Sequence, residues 1–175
     1  MPNKQNSPNA RSAGKVATPA VAPPCAMVIF GAGGDLTKRL VTPALYNLVT
    51  AKRLPDGFRL VGVDHGLSSV EQWRKNLTDM MNEFVATRQG EFQADHIDQT
   101  AWKWLCDRMT YLQGDFTDPQ AYDRLREHLA GLEKAGGTGG NHLFYLAVAD
   151  RFFDVVVAKL GAARSEEHTS ELQSP

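Results

Sequence analysis

Apolar residues along this chain follow two alternating rhythms. Short runs at Met27–Phe30, Phe58–Val63, Thr110–Gln113 and His142–Val148 are bounded by Gly, Pro or Asp, as strands of a covered sheet would be. The segments between them space their apolar residues three or four apart. Leu36, Leu40, Ala44, Leu45 and Leu48 predict a helix from Asp35 to about Arg53, with Pro43 bending it or starting a second set of turns. Val70, Trp73, Leu77, Met80, Met81 and Phe84 form one face of a second helix, and Ser68 with Glu71 reads as its capping box. Trp102, Leu105 and Met109 predict a shorter helix. Thr117-Asp118-Pro119 supplies a cap and an N1 proline for another helix that runs to about Leu132, and Arg151–Leu160 is the last. Pro55-Asp56-Gly57 is a turn and Gly136–Gly140 a loop. Strands alternating with helices imply an α/β fold with a doubly wound parallel sheet.

The two ends break this pattern. Residues 1–24 are rich in Pro, Ala, Ser and Asn and hold too few large apolar groups to offset ordering entropy, so a flexible tail is expected. Residues 164–175 are polar and aperiodic. Their string, Arg-Ser-Glu-Glu-His-Thr-Ser-Glu-Leu-Gln-Ser-Pro, resembles an in-frame translation of a sequencing-library adapter. The expectation is therefore a non-native or disordered tail, with the folded part confined to residues 25–163.

Charge and cysteine content narrow the function. The net charge is −1, and the body between the two ends is mildly acidic with no basic stripe, which argues against nucleic acid as a partner. No apolar run approaches the roughly 20 residues needed to cross a bilayer, and the first 24 residues lack the apolar stretch of a secretory signal. Cys25 and Cys106 lie far apart, with no His or Cys at ligand spacing, so both are expected to be reduced, incidental thiols in a cytoplasmic protein without a metal.

The chemistry concentrates in one place. Gly31-Ala32-Gly33-Gly34 follows the apolar strand directly and opens into a helix near Asp35. Amides at a helix N-terminus, with the positive end of its dipole, face a diphosphate well, and glycine lets the ligand reach the main chain. No Gly-Lys-Ser/Thr follows the turn, which excludes a P-loop, and the Tyr-x-x-x-Lys pair of short-chain oxidoreductases is absent.

Gly31-Ala32-Gly33-Gly34-Asp35-Leu36-Thr37-Lys38-Arg39, continued by Pro43-Ala44-Leu45-Tyr46-Asn47-Leu48, resembles the opening of bacterial-type glucose-6-phosphate dehydrogenases, and His142–Val148 resembles their fourth strand. The likeness spans about residues 26–163. It implies the first part of a Rossmann-like coenzyme domain, with the sheet incomplete and the substrate domain absent. The activity implied is oxidation of glucose 6-phosphate to its lactone with NADP, in an enzyme that forms a homo-oligomer. It further implies that Gly31, Ala32, Gly33 and Gly34, with Asp35, Leu36, Thr37 and Lys38, surround the coenzyme diphosphate. Asp35 reads equally as a helix cap, and Lys38 as a solvated helix position.

At the end of the second strand this chain departs from the family, which often has Arg where His65 stands. That Arg clamps the 2′-phosphate of NADP, whereas Asp64 can accept from a 2′-hydroxyl, so NAD is a rival coenzyme. Asp115 and Phe116 are implied on the adenine side, with Asp115 alternatively beginning a turn. Ala147 and Val148 are implied on the nicotinamide side, where Ala149-Asp150 replaces the family's Pro-Pro. The family's Glu-Lys-Pro-Phe-Gly and Arg-Ile-Asp-His-Tyr-Leu-Gly-Lys segments have no counterpart here, and none of the five histidines replaces the missing base. The 175 residues are thus expected to bind coenzyme without dehydrogenase activity, and a non-catalytic nucleotide-sensing module is the alternative.

Overall fold

A computed structural model describes residues 21–66, 69–88 and 94–171. Strands β1 (Ala26–Phe30), β2 (Arg59–Asp64), β3 (Met109–Gln113) and β4 (His142–Leu146) form a parallel sheet in the order β3-β2-β1-β4. The helices are α1 (Thr42–Thr50), α2 (Val70–Thr87), α3 (Gln99–Cys106), α4 (Pro119–Lys134) and α5 (Phe153–Glu171). This is the expected doubly wound Rossmann-like arrangement.

Helices on both sides explain why β1 is apolar throughout. Met27 and Ile29 face α1, α2 and α3 through Leu45, Trp73, Leu77 and Trp102. Ala26, Val28 and Phe30 face α4 and α5 through Tyr122, Leu125, Leu129 and Val156. All five β1 residues are buried. By contrast β4 is an edge strand, and its Leu143 and Tyr145 are exposed. Such an edge offers unpaired main-chain groups beside apolar side chains. No helix among the described residues is long and apolar enough to cross a membrane.

Several boundaries differ from the sequence expectation. The helix foreseen from Asp35 is divided by a π-helical turn at Thr37–Val41, where the Thr42 amide reaches back five residues to the Thr37 carbonyl. The Thr42 hydroxyl donates to the same carbonyl at 2.8 Å. Pro43 follows at once and has no amide to continue the ordinary ladder, so the turn widens ahead of it. The cap of α2 is Ser69, whose extended backbone lets its hydroxyl accept from the Gln72 amide; the Ser68 of the expected capping box lies outside the described residues. Met109 opens β3 instead of ending α3, since α3 stops at Cys106. β4 ends at Leu146, and a 3₁₀ turn at Asp150–Phe152 precedes α5. Of the expected N-terminal tail, residues 1–20 are outside the described set. Ala22 donates to the Arg53 carbonyl at 3.1 Å and Pro24 accepts from Asn141 at 3.0 Å, so this stretch is tied to the body.

Both cysteines are half-buried and free, and burial pushes the Cys106 thiol up to about 11. Half-buried His128 on α4 shares a 2.8 Å hydrogen bond with Thr110 on β3, and burial holds its pKa below the usual value. Because the unfolded chain takes up this proton at higher pH than the folded one, stability is complete above about pH 6.5 and falls as the pH drops through the folded value. The loss cannot exceed about 1.4 kcal/mol per pH unit for one proton. His128→Gln keeps a hydrogen-bonding partner for Thr110 and should flatten this limb when urea midpoints are compared between pH 7 and 5.

Candidate functional site: the glycine turn at the switch point

The winding of the sheet reverses at β1. β2 and β3 lie to one side of it and β4 to the other, so the carboxyl end of β1 is the topological switch point where α/β folds place ligands. Three further segments end beside it: Asp64–Gly66 after β2, Gly114–Phe116 after β3 and Ala147–Val148 after β4.

The turn is stapled on both sides. The Gly31 amide donates to the Val63 carbonyl at 2.9 Å, and Ala147 donates to the Phe30 carbonyl at 2.8 Å. Gly31 has φ +85°, and a Cβ there would lie 2.3 Å from the Ala147 carbonyl oxygen, so only glycine suits both the conformation and the space. Ala32 donates to Val63 at 3.3 Å and Gly34 to the Gly31 carbonyl at 3.0 Å. The Gly33 amide donates to the Asp64 carboxylate at 2.8 Å. Fully buried Thr37 closes the loop, its hydroxyl donating to the Gly31 carbonyl at 2.9 Å. Beneath the turn the Trp73 indole donates to the Ala32 carbonyl at 2.9 Å. A Cβ at Gly62 would be 2.8 Å from both Ala32 and the Trp73 ring, so β2 also needs a glycine there.

The four amides from Gly31 to Gly34 are therefore committed within the protein. The free donors sit one step further on. The amides of Asp35, Leu36 and Thr37 have no acceptor among the described residues, and they stand at the positive end of the following helical segment. Half-buried Lys38 has no ion-pair partner among the described residues, unlike its neighbour Arg39. The equal reading of Asp35 as a helix cap is corrected: its exposed carboxylate lies 3.8 Å from the Arg39 guanidinium one turn on and makes no cap.

At the end of β2 the Asp64 carboxylate is nearly buried. Its Oδ1 accepts from the amides of His65 at 2.7 Å and Gly66 at 3.2 Å. The His65 ring is 78% exposed, with Nδ1 3.2 Å from the same oxygen. At the end of β3, Asp115 takes the turn role: it accepts from the amide and the hydroxyl of Thr117, both at 2.7 Å, and these bonds hold its carboxyl below the usual range. Phe116 is buried against Phe30 and Phe152, and its carbonyl accepts from the Tyr122 hydroxyl, so it supports the site from below. After β4, Ala147 and Val148 form the wall that Gly31 touches. The hydrogen bond between Gly33 and Asp64 escaped the sequence reading, as did Trp73 and Gly62 as parts of the site. Of these only Gly62, an isolated glycine inside a strand, carried a signal of close approach.

A cavity of about 560 Å³ between α4, α5 and the start of β4 lies elsewhere, towards the amino end of that strand. Among the described residues no cluster of His, Cys, Asp and Glu could hold a metal.

A family model described as "Glucose-6-phosphate dehydrogenase, NAD binding domain" matches residues 28–173, which include this whole site. The chain belongs to the glucose-6-phosphate dehydrogenase family. The glucose-6-phosphate 1-dehydrogenase of Chlamydia muridarum is 36% identical over 153 residues, 87% of this chain and 29% of the relative. Glucose-6-phosphate 1-dehydrogenase 2 of Mycobacterium tuberculosis is 36% identical over 151 residues, 85% of this chain and 28% of its own length. A crystal structure of the Mycobacterium avium glucose-6-phosphate 1-dehydrogenase superposes with a TM-score of 0.66 at 26% identity, covering 81% of this chain and 27% of that one. The chain thus spans less than a third of the length of these glucose-6-phosphate dehydrogenases.

The contact at Gly31 can be separated from its backbone strain. Gly136 has φ +77° with nothing near its added Cβ, so Gly136→Ala should cost only the strain of a left-handed residue, about 1–2 kcal/mol. Gly31→Ala should cost at least about 2 kcal/mol more in urea denaturation, because a carbonyl oxygen must also move.

Proposed function

We propose that this chain is the coenzyme-binding part of a glucose-6-phosphate dehydrogenase and binds the diphosphate of NAD(P) at the amides of Asp35, Leu36 and Thr37. The observation that carries this reading is those three unpartnered donors, which open a helical segment at the switch point of a parallel sheet. Lys38 adds a cation on the same segment. The residues present fit the group: the turn is held by Val63, Ala147 and Thr37 without using the donors that the ligand needs.

When bound, the coenzyme supplies the hydride acceptor for oxidation of glucose 6-phosphate at C1 to the lactone. Among this chain's own residues, the turn binds and orients the diphosphate, Asp64 and His65 border the adenosine ribose, and Ala147 and Val148 border the nicotinamide half. The matching family is the ground for a nicotinamide dinucleotide as coenzyme, glucose 6-phosphate as substrate of the longer protein and entry to the pentose phosphate route. Homo-oligomer formation, a cytoplasmic location and the absence of nucleic-acid or membrane partners complete the reading. The general base and sugar-phosphate contacts of the family have no counterpart in these residues, so the 175-residue chain binds without turnover.

Amide resonances decide the point. Titration of the ¹⁵N-labelled chain with reduced coenzyme should shift Asp35, Leu36 and Thr37 most. Largest shifts around the cavity between α4 and α5 would refute the placement, and measurable oxidation of glucose 6-phosphate by this chain alone would refute the inactivity.

A further inference from the structure

We infer that Asp64 sets the coenzyme preference of this chain, favouring NAD over NADP by admitting a ribose 2′-hydroxyl and repelling a 2′-phosphate. The inference rests on the diphosphate site just described and concerns its far end.

Asp64 closes β2 beside the glycine turn, at the position from which an acidic side chain reaches the adenosine ribose in this class of fold. Its orientation is over-determined: Oδ2 accepts from Gly33, and Oδ1 from His65 and Gly66. A carboxylate has about four acceptor positions, so three amides leave one, and the side chain keeps 11% of its surface open. A hydroxyl can donate into that position. A phosphate has no proton to offer at neutral pH and brings charge of the same sign.

The surroundings do not offset that charge. Asp115, whose exposed carboxyl interacts electrostatically with His65, adds a second anion on this side. Arg124, the guanidinium near the end of β3, is turned towards Asp118 at 3.7 Å and the Gln113 carbonyl at 3.5 Å. The Gln113 amide is directed to the His65 carbonyl at 3.3 Å. Among the described residues, the His65 ring is the one basic side chain within 4 Å of the Asp64 carboxylate, and an imidazole lacks the permanent, bidentate charge that grips a phosphate. The lock between Asp64 and Gly33 also prevents the carboxylate from swinging away without loosening the turn.

Repulsion between charges a few ångströms apart at a part-exposed site is worth at least about tenfold in affinity. Fluorescence titration of the full 175-residue chain with NADH and NADPH should therefore show NADH bound at least about tenfold more tightly. Asp64→Asn removes the charge and keeps one acceptor oxygen, either for the Gly33 amide or for those of His65 and Gly66. It should bring the two affinities within about threefold of each other, mainly by tightening NADPH. His65→Arg should move the ratio in the same direction. Tighter NADPH than NADH in the unmodified chain would overturn the inference, as would an Asp64→Asn chain in which both affinities fall equally, since Asp64 would then only hold the turn. If neither coenzyme binds, the diphosphate site itself is wrong and the inference falls with it. Binding of both with NADPH preferred leaves that site standing and refutes the role of Asp64 alone.

Discussion

The main chain at Gly31 passes so close to the Ala147 carbonyl that no side chain fits between them. Everything at the candidate site follows from this approach. It brings the exits of β1 and β4 together, while the Gly31 amide binds the exit of β2 through Val63. The turn is thus held from both sides at the point where the winding reverses. With the amides from Gly31 to Gly34 engaged internally, the first free donors are forced to Asp35, Leu36 and Thr37. A site made this way is ordered on folding, so a ligand need not bear that entropy on binding.

Two layers keep the turn in place. On one face Trp73 bonds the Ala32 carbonyl and fills the hollow over Gly62. On the other, Phe30, Phe116 and Tyr122 pack ring against ring. This arrangement explains the fate of Phe116, which the family resemblance places near the adenine and the structure buries as support. It also separates Asp64 from Asp35. The first is clamped by three amides beside the turn, whereas the second pairs with Arg39 at the surface, where such pairs contribute little.

Particular residues show where sequence patterns suffice. The run Ala26–Phe30 could only be a strand covered on both faces, because no amphipathic face remains in it. The glycines after it marked a site because a turn between strand and helix has few other uses for so many. Ser68 and Ser69 are chemically equal in the sequence, and it is the extended backbone at Ser69 that lets its hydroxyl cap α2. Met109 fitted the helical spacing of Trp102 and Leu105, yet pairing with Leu60 draws it into β3. The π-turn ahead of Pro43 had no sequence signature beyond the proline itself.

Local pattern alone determined the α/β class, the parallel winding and the location of the glycine turn, since strand and helix periods and glycine's missing side chain are properties of neighbouring residues. Tertiary structure decided which amides remain free, which carboxylate is clamped beside the glycine turn and which aromatic rings support it. Those outcomes depend on contacts such as Gly33 with Asp64 and Trp73 with Ala32, whose partners lie 31 and 41 residues apart. No local periodicity encodes such distances, because they exist only once the sheet has brought its strand ends together.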